Sequence, residues 1–231
     1  MIEVIPAILV DNYKELQTKI SKFVGLSEMV QIDVCDGSFV PSVSWPMNKK
    51  DRDSILPIID EEEGLPSWDK LDFEFDLMIE KSYEHFDFFA KLGAKRIIFH
   101  IKENDILNLR DFLEGIDMYF RENIEIGLAV SSEIDLEKIK TLINRVDFIQ
   151  CMGIRKIGFQ GQPFEEKIID KIKEIKRIYP DIKISVDGGV NEKSAPCLIE
   201  AGADRLVIGT ALDQALDIKS KIREFENLST D

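Results

Sequence analysis

Residues 182–211 read IKISVDGGVNEKSAPCLIEAGADRLVIGTA and contain one complete strand–helix–strand unit. The β-branched run Ile182–Val186 predicts a strand, and the glycine pair after it predicts a tight turn. The next segment predicts a helix that Ser194 caps and that ends just before Gly202. A second β-branched run, Arg205–Ile208, follows and again ends in glycine. This order of elements is typical of a parallel sheet covered by helices.

The same alternation extends over the whole chain of 231 residues. Eight strand-like runs are separated by helical periods: Ile2–Leu9, Met29–Val34, Leu71–Ile79, Arg96–Ile101, Ile124–Val130, Val146–Met152, Ile182–Val186 and Arg205–Ile208. A repeat of about 29 residues is the length of one βα module. Eight modules exceed the five or six strands of an open sheet. The sequence therefore predicts an α/β fold, a single (β/α)8 TIM barrel that forms one domain over residues 1–231.

Several helices have recognisable start signals. Asp11 is expected to cap a helix that begins near Tyr13, and Pro163 is expected to open a later helix. A helix is also predicted around Asp51–Ile59, and the acidic run Asp60–Glu63 after it is interpreted as solvated surface.

Composition and charge exclude several classes of protein. Hydrophobic residues make up 44% of the chain, which is enough for a large core and excludes a disordered chain. The net charge of −14 would repel nucleic acid and an anionic membrane surface, so neither is predicted as a partner. No run approaches the roughly 18 apolar residues of a membrane helix, and the N-terminus lacks a signal-peptide pattern. Together with three widely spaced cysteines, these features predict a cytoplasmic protein with reduced thiols.

Polar residues lie where the predicted strands end, and in such a barrel the working residues lie at that end. Asp33, Asp76 and Asp187 would place three carboxylates at one barrel mouth, the end at which the strands terminate. Gln31 and Asp33 are two residues apart on one strand, so both side chains point inward. Asp36 is interpreted as a cap of the loop that follows this strand.

Two glycine clusters fall in the seventh and eighth loops. Barrels of this type commonly hold a phosphate there with backbone N–H groups. The sequence therefore predicts a phosphate site formed by the backbone of Gly188, Gly189, Gly209 and Thr210, with Gly161 from the sixth loop.

Longer motifs point to one family. Residues 31–41 read QIDVCDGSFVP and residues 152–164 read MGIRKIGFQGQPF. Shorter motifs are IPAIL at 5–9, DLM at 76–78 and VDGGV at 186–190. Together they resemble the motifs of the ribulose-phosphate 3-epimerases, from the first predicted strand to Leu212.

This resemblance implies an epimerase that inverts the carbon next to the carbonyl of a ketopentose phosphate, as in ribulose 5-phosphate to xylulose 5-phosphate. Asp33 and Asp187 match the two aspartates that exchange the substrate proton in the family. They also match two of the family's four metal ligands, and Gln31 and Asp76 stand where the family has metal-binding histidines. The resemblance thus implies a divalent metal ion, and a ligand set of oxygens favours Mg²⁺ or Mn²⁺ over Zn²⁺.

The resemblance also implies a substrate pocket. Ala7 stands where the family has a serine, and His100 matches a histidine on the fourth strand. Met78 and Met152 match residues that form an apolar lid over the reacting carbon. Structural roles remain open for these residues, with His100 as a hydrogen-bonded histidine at a strand end and the methionines as packing at the barrel top.

The departures from the family leave alternatives open. One is a non-catalytic protein that binds a phosphosugar, and another is a lyase or decarboxylase on the same barrel. Asp76 either helps to hold a cation, points away or is protonated. The sixth loop is one residue longer than the family's motif and carries Arg155 and Lys156, either as surface charges or as phosphate contacts. A homo-oligomer is expected from the resemblance alone.

Overall fold

The structure is a computed structural model that describes residues 2–48 and 51–228, with only the backbone of Arg52. Eight parallel strands form a closed barrel in chain order. The strands are β1 (Glu3–Ile8), β2 (Met29–Cys35), β3 (Asp72–Met78), β4 (Ala94–Phe99), β5 (Glu125–Val130), β6 (Phe148–Met152), β7 (Lys183–Asp187) and β8 (Arg205–Ile208). The predicted (β/α)8 barrel is confirmed, whereas the predicted domain limits at Met1 and Asp231 lie outside the described residues.

Helices surround the barrel and connect the strands. They are α1 (Tyr13–Ser21), α2 (Arg52–Ile59), α3 (Phe86–Lys91), α4 (Ile106–Gly115), α5 (Met118–Asn123), α6 (Leu136–Ile143), α7 (Lys167–Ile178), α8 (Ser194–Ala201), α9 (Thr210–Asp213) and α10 (Ile218–Glu226). The helix predicted around Asp51–Ile59 is confirmed as α2. The acidic run Asp60–Glu63 after it is exposed, as predicted.

Two predicted helix caps are wrong, while one predicted stop is confirmed. The cap of α1 is Asn12 rather than Asp11, and its side chain accepts a hydrogen bond from the N–H of Glu15. Ser194 is the first residue of α8 and not its cap; the oxygen of Asn191 instead accepts from the N–H groups of residues 193 and 194. Gly202 ends α8 in the left-handed conformation with φ of 112°. An asparagine side chain close to the first turn caps each of these helices, so the type of capping residue could be predicted but its position could not.

The start of α7 also differs from the prediction. Pro163 does not open the helix, which begins at Lys167. The intervening backbone returns to the barrel, where the N–H of Glu165 donates to the carbonyl of Gly153 at 2.7 Å.

Each strand supplies residues to two separate places because side chains alternate along it. On β6, Ile149 and Cys151 belong to the large core between the strands and the helices. Phe148 and Met152 belong to a different cluster that lies inside the barrel. The same alternation points Asp33, Asp76 and Asp187 into the barrel, because their strand neighbours belong to the outer core.

Three strand ends are shifted by one or two residues. The sequence places His100 on the fourth strand, but β4 ends at Phe99 and His100 follows it directly. The first strand ends at Ile8 rather than Leu9 and contains Ala7 as predicted, and Asp187 is the last residue of β7 rather than the first after it. These shifts move no side chain to the other face, since the alternation of the strands is preserved.

A network of charged side chains fills the other end of the barrel. Arg205 Nε and Nη2 bind Glu3 and Glu125 at 3.0 and 2.9 Å, and Arg96 Nη1 contacts Glu3 at 2.9 Å and Glu74 at 3.4 Å. In the described part of the chain, no helix has the length and apolar character that crossing a membrane requires.

Candidate active site

Three carboxylates meet at the barrel mouth. Asp33 and Asp76 are register partners on β2 and β3, and Asp187 ends β7 on the other side of β1 and β8. One oxygen from each of the three lies within 4.8 Å of the others. Asp33 and Asp76 are buried, and Asp187 is partly buried. Three acidic groups at this spacing repel one another, so the arrangement is costly unless protons or a cation neutralise it.

A single amide joins two of these carboxylates. Gln31 Nε2 donates to Asp33 Oδ1 at 2.8 Å and to Asp187 Oδ2 at 3.0 Å. Gln31 is fully buried, and the alternation of β2 places it one layer below Asp33. Its carbonyl oxygen is turned away from both aspartates and has no hydrogen-bond partner among the described residues. In this orientation the side chain of Gln31 presents hydrogen-bond donors to the carboxylates and no oxygen that could bind a metal ion.

Burial and mutual repulsion change how two of the acids titrate. Desolvation, followed by the charges of Asp187 and Asp76, raises the pKa of Asp33 well above its ordinary range. Desolvation and the charge of Asp76 raise the pKa of Asp187 to about 7. A carboxyl group with a pKa near neutrality can both take up and release a proton at physiological pH.

Asp76 has a partner of its own behind this pair. His100 Nε2 lies 2.8 Å from Asp76 Oδ1, and both side chains are buried. The second oxygen of Asp76 has no hydrogen-bond partner in the described part of the chain. The ring of Phe39 packs edge-on against His100 at a centroid distance of 5.8 Å, which fixes the imidazole from the side.

A cavity of about 700 Å³ opens above the aspartates. Asp33 and Asp187 line it, together with Ala7, Met78 and Met152 from the predicted pocket. The other residues of the predicted site, Gln31, Asp76 and His100, are not among its described lining residues. They lie next to the lining residues: Gln31 bonds to Asp33 and Asp187, and His100 bonds to Asp76.

The predicted phosphate residues line the same cavity. These are Gly161, Gly188, Gly189, Gly209 and Thr210. Gly188 and Gly189 have φ values of 92° and 69°, and an added Cβ would lie 2.7 Å from Ile154 and 2.8 Å from the Phe164 backbone. Both positions therefore require glycine, and the turn leaves backbone N–H groups without side chains next to the aspartates.

The two basic residues of the sixth loop lie away from the cavity. Arg155 forms an ion pair with Glu165, and its side chain is 67% exposed. Lys156 is exposed as well, and neither residue lines the cavity within the described chain.

Asp36 lies in the loop after β2 and binds its backbone. One carboxylate oxygen accepts hydrogen bonds from the N–H groups of Ser38 and Phe39, and the other accepts from the N–H of Glu80. The predicted loop-capping role of Asp36 is confirmed.

Sequence reasoning missed several cavity residues. The Nε2 atom of Gln160 lies 2.9 Å from the position that a Cβ atom on residue 209 would occupy. Residues from α10 and the loop before it, Ser220, Lys221 and Gln214, also reach the cavity. Gln160 lies inside a motif that the sequence already marked, whereas α10 carries no signal that would connect it to the site.

Comparison with known proteins assigns the chain to a family. A family model described as the ribulose-phosphate 3 epimerase family matches residues 3–212. The ribulose-phosphate 3-epimerase of Bacillus subtilis (strain 168) is 30% identical over 230 residues, covering 97% of this chain and 98% of the relative. The enzyme of the same name from Chlamydia muridarum is 31% identical over 205 residues, covering 85% of this chain and 82% of the relative.

Solved structures share the fold at lower identity. KGPDC from Streptococcus mutans matches with a TM-score of 0.68 and 13% identity, over 97% of this chain and 95% of that one. The 3-hexulose-6-phosphate synthase of Salmonella typhimurium matches with a TM-score of 0.66 and 14% identity, over 98% of this chain and 97% of the other. At this identity the likeness concerns the fold alone. The match of the family model to nearly the whole chain decides the assignment: the chain belongs to the ribulose-phosphate 3-epimerase family.

Proposed function

We propose that this protein is an epimerase that inverts the carbon next to the carbonyl of a ketopentose phosphate, with ribulose 5-phosphate and xylulose 5-phosphate as its substrate pair. One observation carries the proposal. A single amide, that of Gln31, holds the carboxylates of Asp33 and Asp187 beside one cavity whose wall also contains the glycine turns.

The chemistry needs two acid/base groups on opposite faces of one carbon. One aspartate removes the proton from that carbon as its C–H bond breaks, and the electron pair moves into a cis-enediolate. The other aspartate then donates a proton to the same carbon from the opposite face, and the carbonyl forms again. Asp33 and Asp187 are attached to β2 and β7, so they approach a substrate in the cavity from different sides.

The raised pKa values suit both roles. A carboxylate at its ordinary pKa, near 4, is a poor base toward a carbon acid. Desolvation and repulsion by Asp76 raise the pKa of Asp187 to about 7, and the pKa of Asp33 is raised as well. Each group can therefore accept the proton in one direction of the reaction and donate it in the other.

The glycine turns provide a phosphate site. The N–H groups of Gly188, Gly189, Gly209 and Thr210 would bind the anion, with Gly161 across the cavity. A crystal structure with bound sulfate tests this assignment. The anion is expected on these N–H groups, and an anion bound elsewhere in the mouth would contradict it.

Apolar side chains would cover the reacting carbon. Ala7, Met78 and Met152 line the cavity next to the aspartates and bring no competing donor or acceptor. By excluding water they would protect the enediolate and strengthen the nearby electrostatic interactions.

The carboxylate cluster fits a divalent cation. Asp33, Asp76 and Asp187 would hold it, and Asp76 contributes a buried oxygen that has no partner among the described residues. A donor set of carboxylate oxygens favours Mg²⁺ or Mn²⁺ over Zn²⁺. A bound cation would supply positive charge for the enediolate oxygens. Gln31 would join the set only with its amide turned around, because its N–H₂ group now faces the aspartates.

A coupled assay tests the proposed reaction. Purified protein is incubated with ribulose 5-phosphate, and xylulose 5-phosphate is measured after chelation and after addition of Mn²⁺, Mg²⁺ or Zn²⁺. We expect turnover, incorporation of solvent deuterium at the inverted carbon, and loss of both in Asp187→Asn. Saturable binding of the sugar phosphate without exchange at that carbon would favour a non-catalytic binding protein. Release of a carbon fragment would favour a lyase or decarboxylase.

A further inference from the structure

Two buried polar side chains below the catalytic aspartates have no partner in the described part of the chain. Gln150 is fully buried on β6, and neither its amide nitrogen nor its oxygen is hydrogen-bonded. Ser185 is fully buried on β7, and its hydroxyl group is likewise without a partner. Buried polar groups are almost always hydrogen-bonded to protein or to ordered water. Three unpaired atoms on neighbouring strands therefore indicate a ligand between them.

Both side chains face the barrel interior. Their strand neighbours belong to the outer core against the helices, so alternation points Gln150 and Ser185 inward; these neighbours are Ile149, Cys151, Ile184 and Val186. Gln150 and Ser185 are register partners, and so are Met152 and Asp187 two residues further along. The pair thus lies one layer below the acid Asp187, roughly 7 Å away along the strand.

The amide of Gln31 approaches the same place from the opposite side of the barrel. Its Nε2 lies 3.0 Å from Asp187 Oδ2, so the amide group is next to the inner face of β7. Its Oε1, on the same amide carbon, is buried and also has no partner within the described residues. Because Ser185 is the next inward side chain below Asp187, this oxygen and the Gln150–Ser185 pair border one polar space.

Water is the ligand that fits these groups. Gln31 Oε1 accepts only, whereas the Gln150 amide and the Ser185 hydroxyl group each donate and accept. All three are uncharged. The charged side chains in register with them, Glu74 beside Gln31 and Arg205 beside Ser185, already form ion pairs in the network at the N-terminal end, which favours water over an ion here. A buried water molecule needs two to four polar partners, and these side chains supply that number.

We propose that Gln31, Gln150 and Ser185 bind ordered water inside the barrel, and that this water fixes the Gln31 amide in the orientation that donates to both aspartates. Gln150 and Ser185 are then positioning residues that act through Gln31. The effect on turnover rests on the proposed epimerase function, whereas the hydration site does not.

The orientation matters because the two ends of an amide differ. If the Gln31 amide rotated by a half-turn, its oxygen would face two carboxylates and its donors would face away from them. The carboxylates only accept hydrogen bonds and so favour the donating end of the amide, and water that donates to Oε1 completes this orientation by satisfying the buried oxygen that faces away from them. Loss of the water therefore releases the pair of aspartates from their shared donor.

A crystal structure of the wild-type protein at about 1.5 Å resolution tests the hydration site directly. We expect solvent density within about 3 Å of the Gln150 amide, the Ser185 hydroxyl group and Gln31 Oε1. Absence of density there would overturn the proposal, whether or not the protein proves to be an epimerase.

Variants test the positioning role. Gln150→Met keeps the length of the side chain but removes its polar atoms. We expect Gln31 Nε2 to move out of hydrogen-bond distance of Asp187 in its crystal structure, and kcat to fall about tenfold with KM within twofold, since the phosphate loops are untouched. Ser185→Ala should show a smaller loss of kcat than Gln150→Met. Ser185→Thr keeps the hydroxyl group, so its kcat should stay closer to that of the wild type than the kcat of Ser185→Ala.

Cys151→Ala provides a matched control, because Cys151 is buried on the same strand but faces the outer core. Its kcat should stay near that of the wild type even if its melting temperature falls. Unchanged kcat and an unchanged Gln31 contact in Gln150→Met would overturn the positioning role. So would an equal loss of kcat in Cys151→Ala, since the effect would then follow from packing alone.

Discussion

The two ends of the barrel each contain three buried or partly buried acidic side chains, but within the described residues only those at the N-terminal end contact arginines. At the N-terminal end, Glu3, Glu74 and Glu125 surround Arg96 and Arg205, and each arginine contacts at least two carboxylates. At the mouth, three aspartates lie within 4.8 Å without an arginine or lysine among their described contacts.

The difference fits a structural role for the N-terminal end and the proposed proton transfer at the mouth. Arginines pair with the carboxylates of the N-terminal end, where a TIM barrel has no chemistry to perform, although burial still raises the pKa of Glu74 to about 7. At the mouth, Gln31 supplies two weak dipolar contacts and leaves the charges uncompensated. Such a site is costly for folding, and it keeps acids whose pKa values are raised, as proton transfer requires.

The largest expected effect comes from removing one acid at the mouth. Asp33→Asn and Asp187→Asn should each lower kcat by about 10²- to 10⁴-fold, because general acid/base catalysis is lost. At pH 8 both variants should melt at a higher temperature than the wild type, since an uncompensated charge disappears. Steady-state kinetics and calorimetry measure the two effects. Near-normal turnover in either variant would remove that aspartate from the proton-transfer pair.

A change at the N-terminal end should show the opposite pattern. Arg205→Met removes a buried guanidinium from Glu3 and Glu125, which then keep only Arg96 as a partner, and we expect a loss of about 2 kcal/mol in the free energy of unfolding. Arg155→Met is the matched control, because the Arg155 side chain in the ion pair with Glu165 is exposed, so its loss should change the free energy of unfolding much less. Urea denaturation measures both, and kcat of folded Arg205→Met should stay near that of the wild type.

The pH dependence of stability should reflect the raised pKa values. Asp187 retains its proton to a pKa of about 7 in the folded protein, whereas the unfolded chain releases it near 3.8. The folded state therefore binds more protons between these values, and the free energy of unfolding falls as pH rises from about 4 to about 7.

We expect a loss on the order of 2 kcal/mol over that range in metal-free protein. Asp187→Asn should flatten the curve. Glu74→Gln, at the other end of the barrel, should also make the free energy of unfolding depend less on pH, because burial raises the pKa of Glu74 to about 7 as well. Stability that increases with pH in the wild type would contradict the raised pKa values.

The smallest expected effect is stabilisation by a cation. Mn²⁺ at ten times its dissociation constant should stabilise the folded protein by about 1.4 kcal/mol through mass action. Asp76→Asn should weaken this shift of the melting temperature because one ligand charge is lost, whereas Glu74→Gln should leave it intact. If no divalent ion shifts the melting temperature of the wild type, the proposed cation site is wrong.

The fold could be predicted from the sequence because eight short apolar runs alternate with helical periods, and because a glycine or an aspartate directly follows four of the strands, β2, β6, β7 and β8. Strand ends and caps were less accurate. The predicted fourth strand included His100, whereas β4 ends at Phe99, because a strand ends where barrel pairing ends and pairing depends on the neighbouring strands. The cap of α1 passed from Asp11 to the adjacent Asn12, since both side chains can accept the same kind of hydrogen bond.

The composition of the site could be predicted, but its internal contacts could not. Asp33 and Asp187 are recognisable from their motifs, whereas the contact between Gln31 and Asp187 spans the barrel and depends on the closed geometry. Which atoms of the Gln31 amide face the aspartates is likewise set by neighbours on other strands. The pairing of Arg155 with Glu165 followed from the return of the sixth loop to the barrel, which the expected helix start at Pro163 had concealed.

That return of the sixth loop affects how the chain can vary. The N–H of Gly153 donates to the carbonyl of Asp187 at 2.7 Å, and the N–H of Glu165 donates to the carbonyl of Gly153 at 2.7 Å. Both ends of the segment 154–164 are therefore fastened at the end of β7. Loop-closure entropy grows only with the logarithm of length, and one extra residue in a loop of about ten costs about 0.1 kcal/mol. We therefore expect insertions here to reshape the cavity entrance while the spacing of Asp33 and Asp187 stays fixed, so that which molecules enter the cavity can change without disturbing the aspartates.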